Sequence, residues 1–218
     1  MLGLYDLLAS GAPADRVLAW ARGEAVDGLP RLSREEAEVL LDSWEWNARP
    51  GQLWTPGPEF ITSYEAGRGW GKDRSATENL CAAACDPERW GGEALIVGVN
   101  PSQVKRDCLM GDGKSGLFPA AKRREKTGLG PGIRWQNWND RMLQFEAPRG
   151  GGGGGLVVHW AASSDPKSVH GMSIGLAWFD EFGVMDHNKR DAQGNNTWEA
   201  AQPAIRQLPD PKIIITMT

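Results

Sequence analysis

Cysteine is scarce in this chain, with three residues among 218, an odd number. That argues against a disulfide framework. Cys81 and Cys85 fall one helical turn apart, but two thiols without further partners make a poor zinc site, so they read as small buried thiols. Long apolar runs are missing too, as is a basic N-terminal segment followed by an apolar stretch. A membrane span and a secretory leader are therefore not expected, and the host cell cytoplasm is the expected location. Neither sign of charge is in large excess, since 24 Lys and Arg face 28 Asp and Glu for a net charge of −4. This balance argues mildly against a protein that coats nucleic acid, though not against one that grips it through a local patch. The richest basic run, Lys122, Arg123, Arg124 and Lys126, with Lys105 and Arg106 before it, reads as solvated surface charge.

What remains is the composition of a soluble globular protein, 40% hydrophobic and 24% charged, long enough for one α/β domain with a real core. Eleven tryptophans, spread along the chain, suggest core packing rather than one stacking platform. The first third patterns as helix. Ser33 and Glu36 form a capping box, and Ala37, Leu40, Leu41 and Trp44 follow at helical spacing until Pro50. Residues 60–64 read as a short strand that runs into a glycine-rich turn and then an alanine-rich helix reaching about Cys85. Residues 94–100 pattern as a buried strand closed by Asn100 and Pro101. The stretch 111–132 reads as a charged loop. Residues 138–146 and 156–162 read as strands flanking the six glycines 150–155, a flexible hairpin tip. A strand at 174–179, a helix at 198–208 and a last strand at 213–215 complete the pass. Strands alternating with helices predict an α/β fold with a mostly parallel central sheet covered by helices on both faces.

The strongest local signal for chemistry is the strand, turn and helix around Ala66-Gly67-Arg68-Gly69-Trp70-Gly71-Lys72. Phosphate binding needs backbone N–H groups pointing inward at a helix N-terminus, which glycines permit, and a lysine that reaches the β- and γ-phosphates. The P-loop pattern holds at Ala66, Gly71 and Lys72. It fails at the next position, where Asp73 replaces the Ser or Thr whose hydroxyl holds magnesium. A carboxylate also ligates magnesium, but beside a triphosphate it adds repulsion. The second signal is the apolar strand ending in Asp180-Glu181, two carboxylates at the edge of the sheet where ligands sit in open α/β folds. The first acid would hold the cation and the second would activate water. Gly113-Lys114-Ser115 mimics a P-loop ending, but Cys108 stands where the opening Gly or Ala belongs, so it reads as a surface turn.

Arg49-Pro50-Gly51-Gln52-Leu53, the loop just described with Arg74 after it, Ser164-Asp165-Pro166, Gly171, Leu176 to Glu181, Trp198, Arg206 and Ile215-Thr216-Met217-Thr218 together resemble the large terminase subunits of tailed bacteriophages. The order and spacing hold from about residue 44 onward. The resemblance implies a P-loop ATPase core over 49–218 with a helical N-terminal lid over 1–48, and ATP and Mg2+ as cofactors. It also implies the function of a motor driving double-stranded DNA into a procapsid. The nucleotide would contact Gln52, which would read the adenine edge, together with Ala66, Gly67, Arg68, Gly69, Trp70, Gly71, Lys72, Asp73 and Arg74. Arg68 and Lys72 would face the phosphates. Asp180 would serve the metal, Glu181 the water, and Thr216 and Thr218 the coupling of phosphate loss to movement; Asp73, a departure from the family at its position, is a second candidate for the metal.

Partners implied are DNA, a portal protein, a small terminase subunit and further copies of the chain in a ring. A monomer and a weak ATPase are expected in isolation. A nuclease domain, and hence DNA cleavage, is not expected in this chain. Members of this family often carry an arginine before the glycine that is Gly171 here, and in some it reaches the neighbouring subunit's site. This chain has His170 there, with Arg206 and Arg190 as other candidates for a trans-acting residue. Two rival readings stand beside this one. One is a helicase-like, nucleic-acid-stimulated ATPase, and the other is a nucleotide-binding module that does not hydrolyse.

Overall fold

The structure, a computed structural model, describes residues 14–26, 31–49, 51–53, 58–148 and 153–218. Pro50 as a helix stop, residues 1–13 of the expected lid and glycines 150–152 lie outside these. A seven-stranded sheet in the order β1-β7-β6-β2-β5-β4-β3 organises the chain. β1 (Ile61–Glu65), β7 (Lys212–Met217), β6 (Leu176–Asp180), β2 (Glu93–Gly98) and β5 (Val157–Ala162) are parallel. β4 (Met142–Phe145) and β3 (Ile133–Asn137) add an antiparallel hairpin at one side. The central strands read as apolar runs because helices or loops cover both faces, so neither side can alternate with polar residues. One face holds Ala94, Ile96, Trp178 and Ile214. The other holds Leu95, Val97, Ala177, Phe179, Ile213 and Ile215.

The helices are α1 (Ala14–Ala21), α2 (Arg34–Asp42), α3 (Trp44–Asn47), α4 (Lys72–Ala83), α5 (Leu117–Thr127) and α6 (Thr197–Ile205). Ser33 and Glu36 do form the capping box of α2, and Asn196 with Glu199 forms a second one on α6. Val17, Ala21, Leu40 and Trp46 of the N-terminal helices make a small apolar cluster apart from the main core. Among the described residues no helix is long and apolar enough to cross a membrane.

Several local expectations need correction. The stretch 111–132 is not a loop throughout, because α5 occupies its middle. Its inner face is Leu117, Ala120, Ala121 and Arg124, at helical spacing but with a charged member. The basic run is not simply solvated. Lys122 and Lys126 are exposed, but Arg124 is buried. Its Nε donates to Glu78 Oε2 at 2.9 Å, and Arg123 Nη2 donates to Glu78 Oε1 at 2.9 Å. Trp138 lies in the turn between β3 and β4 rather than in a strand. Cys81 is buried as expected, but Cys85 is exposed; Cys108 is buried too.

Glu78 therefore pins α5 to α4. A third guanidinium, Arg74, lies 3.9 Å from Glu78 Oε1 and stacks over the Trp44 ring at 5.0 Å, which ties in the N-terminal helices. Removing a buried ion's partner leaves charge without compensation, which usually costs more than the pair contributes. Glu78→Ala should destabilise the chain by about 3–5 kcal/mol in urea unfolding. Lys122→Ala on the same helix should stay within about 0.5 kcal/mol. Equal effects from the two would show that Glu78 is not the pin.

Candidate active site at the carboxyl edge of the sheet

β1 delivers the chain at the carboxyl edge of the sheet, where Ala66 N–H bonds to Met217 O. The turn that follows alternates in backbone hand, with Gly69 at φ +81° and Gly71 at φ +90°. A side chain at Gly71 would be strained by that φ, and its Cβ would lie 2.9 Å from Gln52 Nε2. Trp70 anchors the turn, its ring 5.7 Å from that of Tyr64 on β1. α4 starts at Lys72 with no side-chain cap, unlike α2 and α6. The first N–H groups of an uncapped helix, together with its dipole, suit an anion.

Gln52 reaches this loop from the segment after α3. It is buried, donates through Nε2 to Trp70 O, and accepts Arg49 N–H at 2.7 Å. Lys72 is almost fully covered. Its Nζ sits 2.9 Å from Glu181 Oε1 and 3.6 Å from Asp73 Oδ1. Burial alone would lower the Lys72 pKa, but its hydrogen bond to Glu181 and the charges of Asp73, Glu181 and Asp180 raise it instead. The Glu181 carboxyl would be raised by burial, yet the hydrogen bonds from Thr218 and Lys72 hold it below the usual range.

β6 ends at Asp180, and Glu181 then takes φ +52°, one of two non-glycine residues at positive φ among those described. Such a conformation costs on the order of 1–3 kcal/mol and clusters at functional sites. The bend follows directly on the strand end and is where the Glu181 carboxylate meets Lys72. Thr218 Oγ1 donates to that same Oε1 at 2.6 Å. β7, lying between β1 and β6, pairs Thr216 with Asp180. Thr216 Oγ1 donates to Asp180 Oδ1 at 2.7 Å and accepts Trp178 Nε1–H at 2.9 Å. Cys108, on a π-helical segment Val104–Met110, donates to Asp180 Oδ2 at 3.5 Å. π-turns recur at functional sites, but nothing in the residue pattern of 104–110 announces one.

The structure thus brings Gln52, Ala66 to Asp73, Asp180, Glu181, Thr216 and Thr218 together. Arg68 is exposed in the loop, and Arg74 faces Glu78 and Trp44. The three candidates for acting in trans lie apart from the loop of their own chain. His170 Nε2 is 2.9 Å from Asp191 Oδ2, in a loop cluster of its own. Arg206 is exposed at the C-terminus of α6, which feeds the start of β7 and so sits at the opposite edge of the sheet. Arg190 pairs with Glu199. Gly113-Lys114-Ser115 is a turn in which Asp112 Oδ1 accepts from Lys114 N and Ser115 N, each at 2.9 Å. Among the described residues no three metal-ligating side chains converge. A cation here would thus be shared between one or two carboxylates and the oxygens of a phosphate, as magnesium is.

The family described as "Terminase large subunit, T4likevirus-type, N-terminal" matches residues 63–218. Among solved structures, the large terminase ATPase domain of Thermus phage P74-26 is similar, with a TM-score of 0.50 and 15% identity over 72% of this chain and 58% of that one. The large terminase of the thermophilic bacteriophage D6E in complex with ATP-gamma-S has a TM-score of 0.53 and 15% identity over 85% of this chain and 37% of that one. The same D6E protein in complex with ADP gives 0.52 and 16%. This chain spans 58% or less of each of these structures. No curated protein matches it. At these identities the likeness supports the fold, and the site rests on its own geometry.

Burial pushes the Asp180 carboxyl up to about 6, with the Thr216 hydrogen bond opposing and the Asp73 charge reinforcing. The ordinary value of such a carboxyl is 3.8, so the folded chain holds this proton more tightly. Stability from this group is therefore lost as pH rises from about 4 through 6. Asp180→Asn removes the loss. It should stabilise the chain by roughly 2–4 kcal/mol at pH 7.5 and by little at pH 4, in urea unfolding at both values. A stability gain that does not change with pH would contradict this.

Proposed function

Because the chain belongs to the large terminase subunits of the T4-like-virus type, we propose that it is the ATP-hydrolysing motor part of such a subunit, driving double-stranded DNA into a procapsid. The observation that carries this is the meeting of Lys72, from the uncapped helix after a glycine turn, with Glu181 and Asp180 at the end of a neighbouring buried strand.

The N–H groups of residues 69–73 and the Lys72 ammonium would hold the β- and γ-phosphates. Arg68, free to turn from solvent, would add charge at the γ-phosphate, and Gln52 would meet the base from beside the loop. Asp180 would hold Mg2+, which when bound draws off the charge that develops on the phosphate oxygens. Lys72 would exchange Glu181 for the phosphates and release that carboxylate to orient the attacking water. Thr218 donates to Glu181 and Thr216 to Asp180, so β7 registers both acids and would carry the change on phosphate loss to the rest of the chain.

His170 is held by Asp191, outside the phosphate loop of its own chain, so as a trans-acting candidate it too would act only on the site of an adjacent subunit. Arg206 lies one strand length from the loop, roughly 3.3 Å per residue over β7. It would act only on the site of an adjacent subunit. The ring, the portal, the small subunit, DNA and the host cytoplasm belong to this proposal as the family's setting.

Phosphate release with ATP, Mg2+ and duplex DNA tests the assignment and separates it from a module that only binds. Lys72→Ala should abolish turnover and weaken nucleotide binding. Glu181→Gln should keep binding and slow hydrolysis by about 10²–10⁴-fold. Near-wild-type turnover in Lys72→Ala would sink the phosphate-loop reading, and unimpaired Glu181→Gln would show the two acids to be misassigned.

A further inference from the structure

Asp73 stands where a phosphate loop ordinarily offers a neutral hydroxyl, and the site is built around that difference. Its side chain is partly exposed, but its Oδ1 is closed off from solvent and, among the described residues, has only the Lys72 ammonium beside it. Among the described residues its ion-pair partner is Lys72, at 3.6 Å, and Lys72 is already closer to Glu181, at 2.9 Å. The Asp73 charge also raises the Asp180 carboxyl. Three carboxylates thus face one ammonium. Asp107, on the neighbouring π-helical segment, is offset by Arg106, whose Nε and Nη2 donate to it at 2.6 and 2.7 Å.

Nucleotide binding would sharpen the imbalance. Once Lys72 turns to the phosphates, Asp73 loses its counter-ion, and its covered oxygen is left facing further negative charge. Backbone N–H groups of the loop cannot serve both Asp73 and the phosphates. A divalent cation can satisfy Asp73, Asp180 and phosphate oxygens together, within the one or two carboxylates that magnesium accepts alongside a nucleotide.

Resting on the ATP-site reading above, we infer that Asp73 is a second protein ligand to the cation, paired with Asp180. It makes the site selective for the cation–nucleotide complex and rejects the free nucleotide. A serine or threonine at this position would bind both forms more evenly.

Fluorescent ADP, titrated into the whole chain by anisotropy in Mg2+ and again in EDTA, tests this without hydrolysis. Wild type should lose about 100-fold or more in affinity when the cation is removed. In Asp73→Ser the loss should shrink to about tenfold or less, chiefly because binding in EDTA tightens. Asp73→Asn, closest in shape, should tighten binding in EDTA in the same way. Mn2+ bound in the presence of ADP, followed by electron paramagnetic resonance, should weaken in both variants. An EDTA-to-Mg2+ ratio in Asp73→Ser within about twofold of wild type would overturn the inference while leaving the ATP site standing. Failure of wild type to bind ADP in Mg2+ would remove the ATP site itself.

Discussion

The ion pair between Lys72 and Glu181 is the contact on which the site depends. It spans two strands that are not neighbours, since β7 lies between β1 and β6. To make it, Glu181 adopts a left-handed backbone that costs on the order of 1–3 kcal/mol. Hydrogen bonds to charged groups contribute about 1.5–3 kcal/mol each, and Glu181 accepts one from Lys72 and one from Thr218. The strained bend is therefore offset by the contacts it makes possible. The same accounting explains how Lys72 stays charged while nearly buried: three carboxylates outweigh its desolvation. In the proposed function the pair is a placeholder, because each partner holds the other where the phosphates and the attacking water would otherwise be met.

β7 gives the arrangement its mechanical interest. It carries Thr216 to Asp180 and Thr218 to Glu181, so one strand touches both acids while pairing with the strand that leads into the phosphate loop. A change at the phosphates would be felt by β7 through hydroxyls rather than through a distant lever. Glu78 supplies rigidity on the other side. By gathering Arg74, Arg123 and Arg124, it fixes the helix that begins at Lys72 against α5, and Arg74 on Trp44 extends that frame to the N-terminal helices.

Much of this was legible in the residues because the signals were local. The turn 66–71 needs glycine where φ is positive, and β2, β6 and β7 are buried on both faces and so read as apolar runs. α5 was hidden for the opposite reason. Its inner face has one leucine, two alanines and an arginine whose partner lies 46 residues away, so charge masked the helical period. The strand expected over 138–146 begins in what is a turn, and the hairpin's other strand, Ile133–Asn137, precedes it unannounced. The insertion of the last strand between the first and the sixth is a long-range pairing that no window of sequence contains. Cys108 beside Asp180 is hidden likewise, being brought there by a π-turn 72 residues before its partner. His170 and Arg206, candidates for acting on a neighbouring subunit, lie away from the phosphate loop of their own chain, and a contact between subunits is not written in one chain's residues.

The central claim is that Lys72 exchanges Glu181 for nucleotide phosphates. A crystal structure of the chain with ATP-gamma-S and Mg2+ tests it most directly. The account predicts Lys72 Nζ within hydrogen-bond reach of the β- and γ-phosphate oxygens and out of reach of Glu181, with the phosphates seated on the N–H groups of residues 69–73. Nucleotide bound elsewhere, or seated there with the Lys72–Glu181 pair intact at its present 2.9 Å, would contradict it.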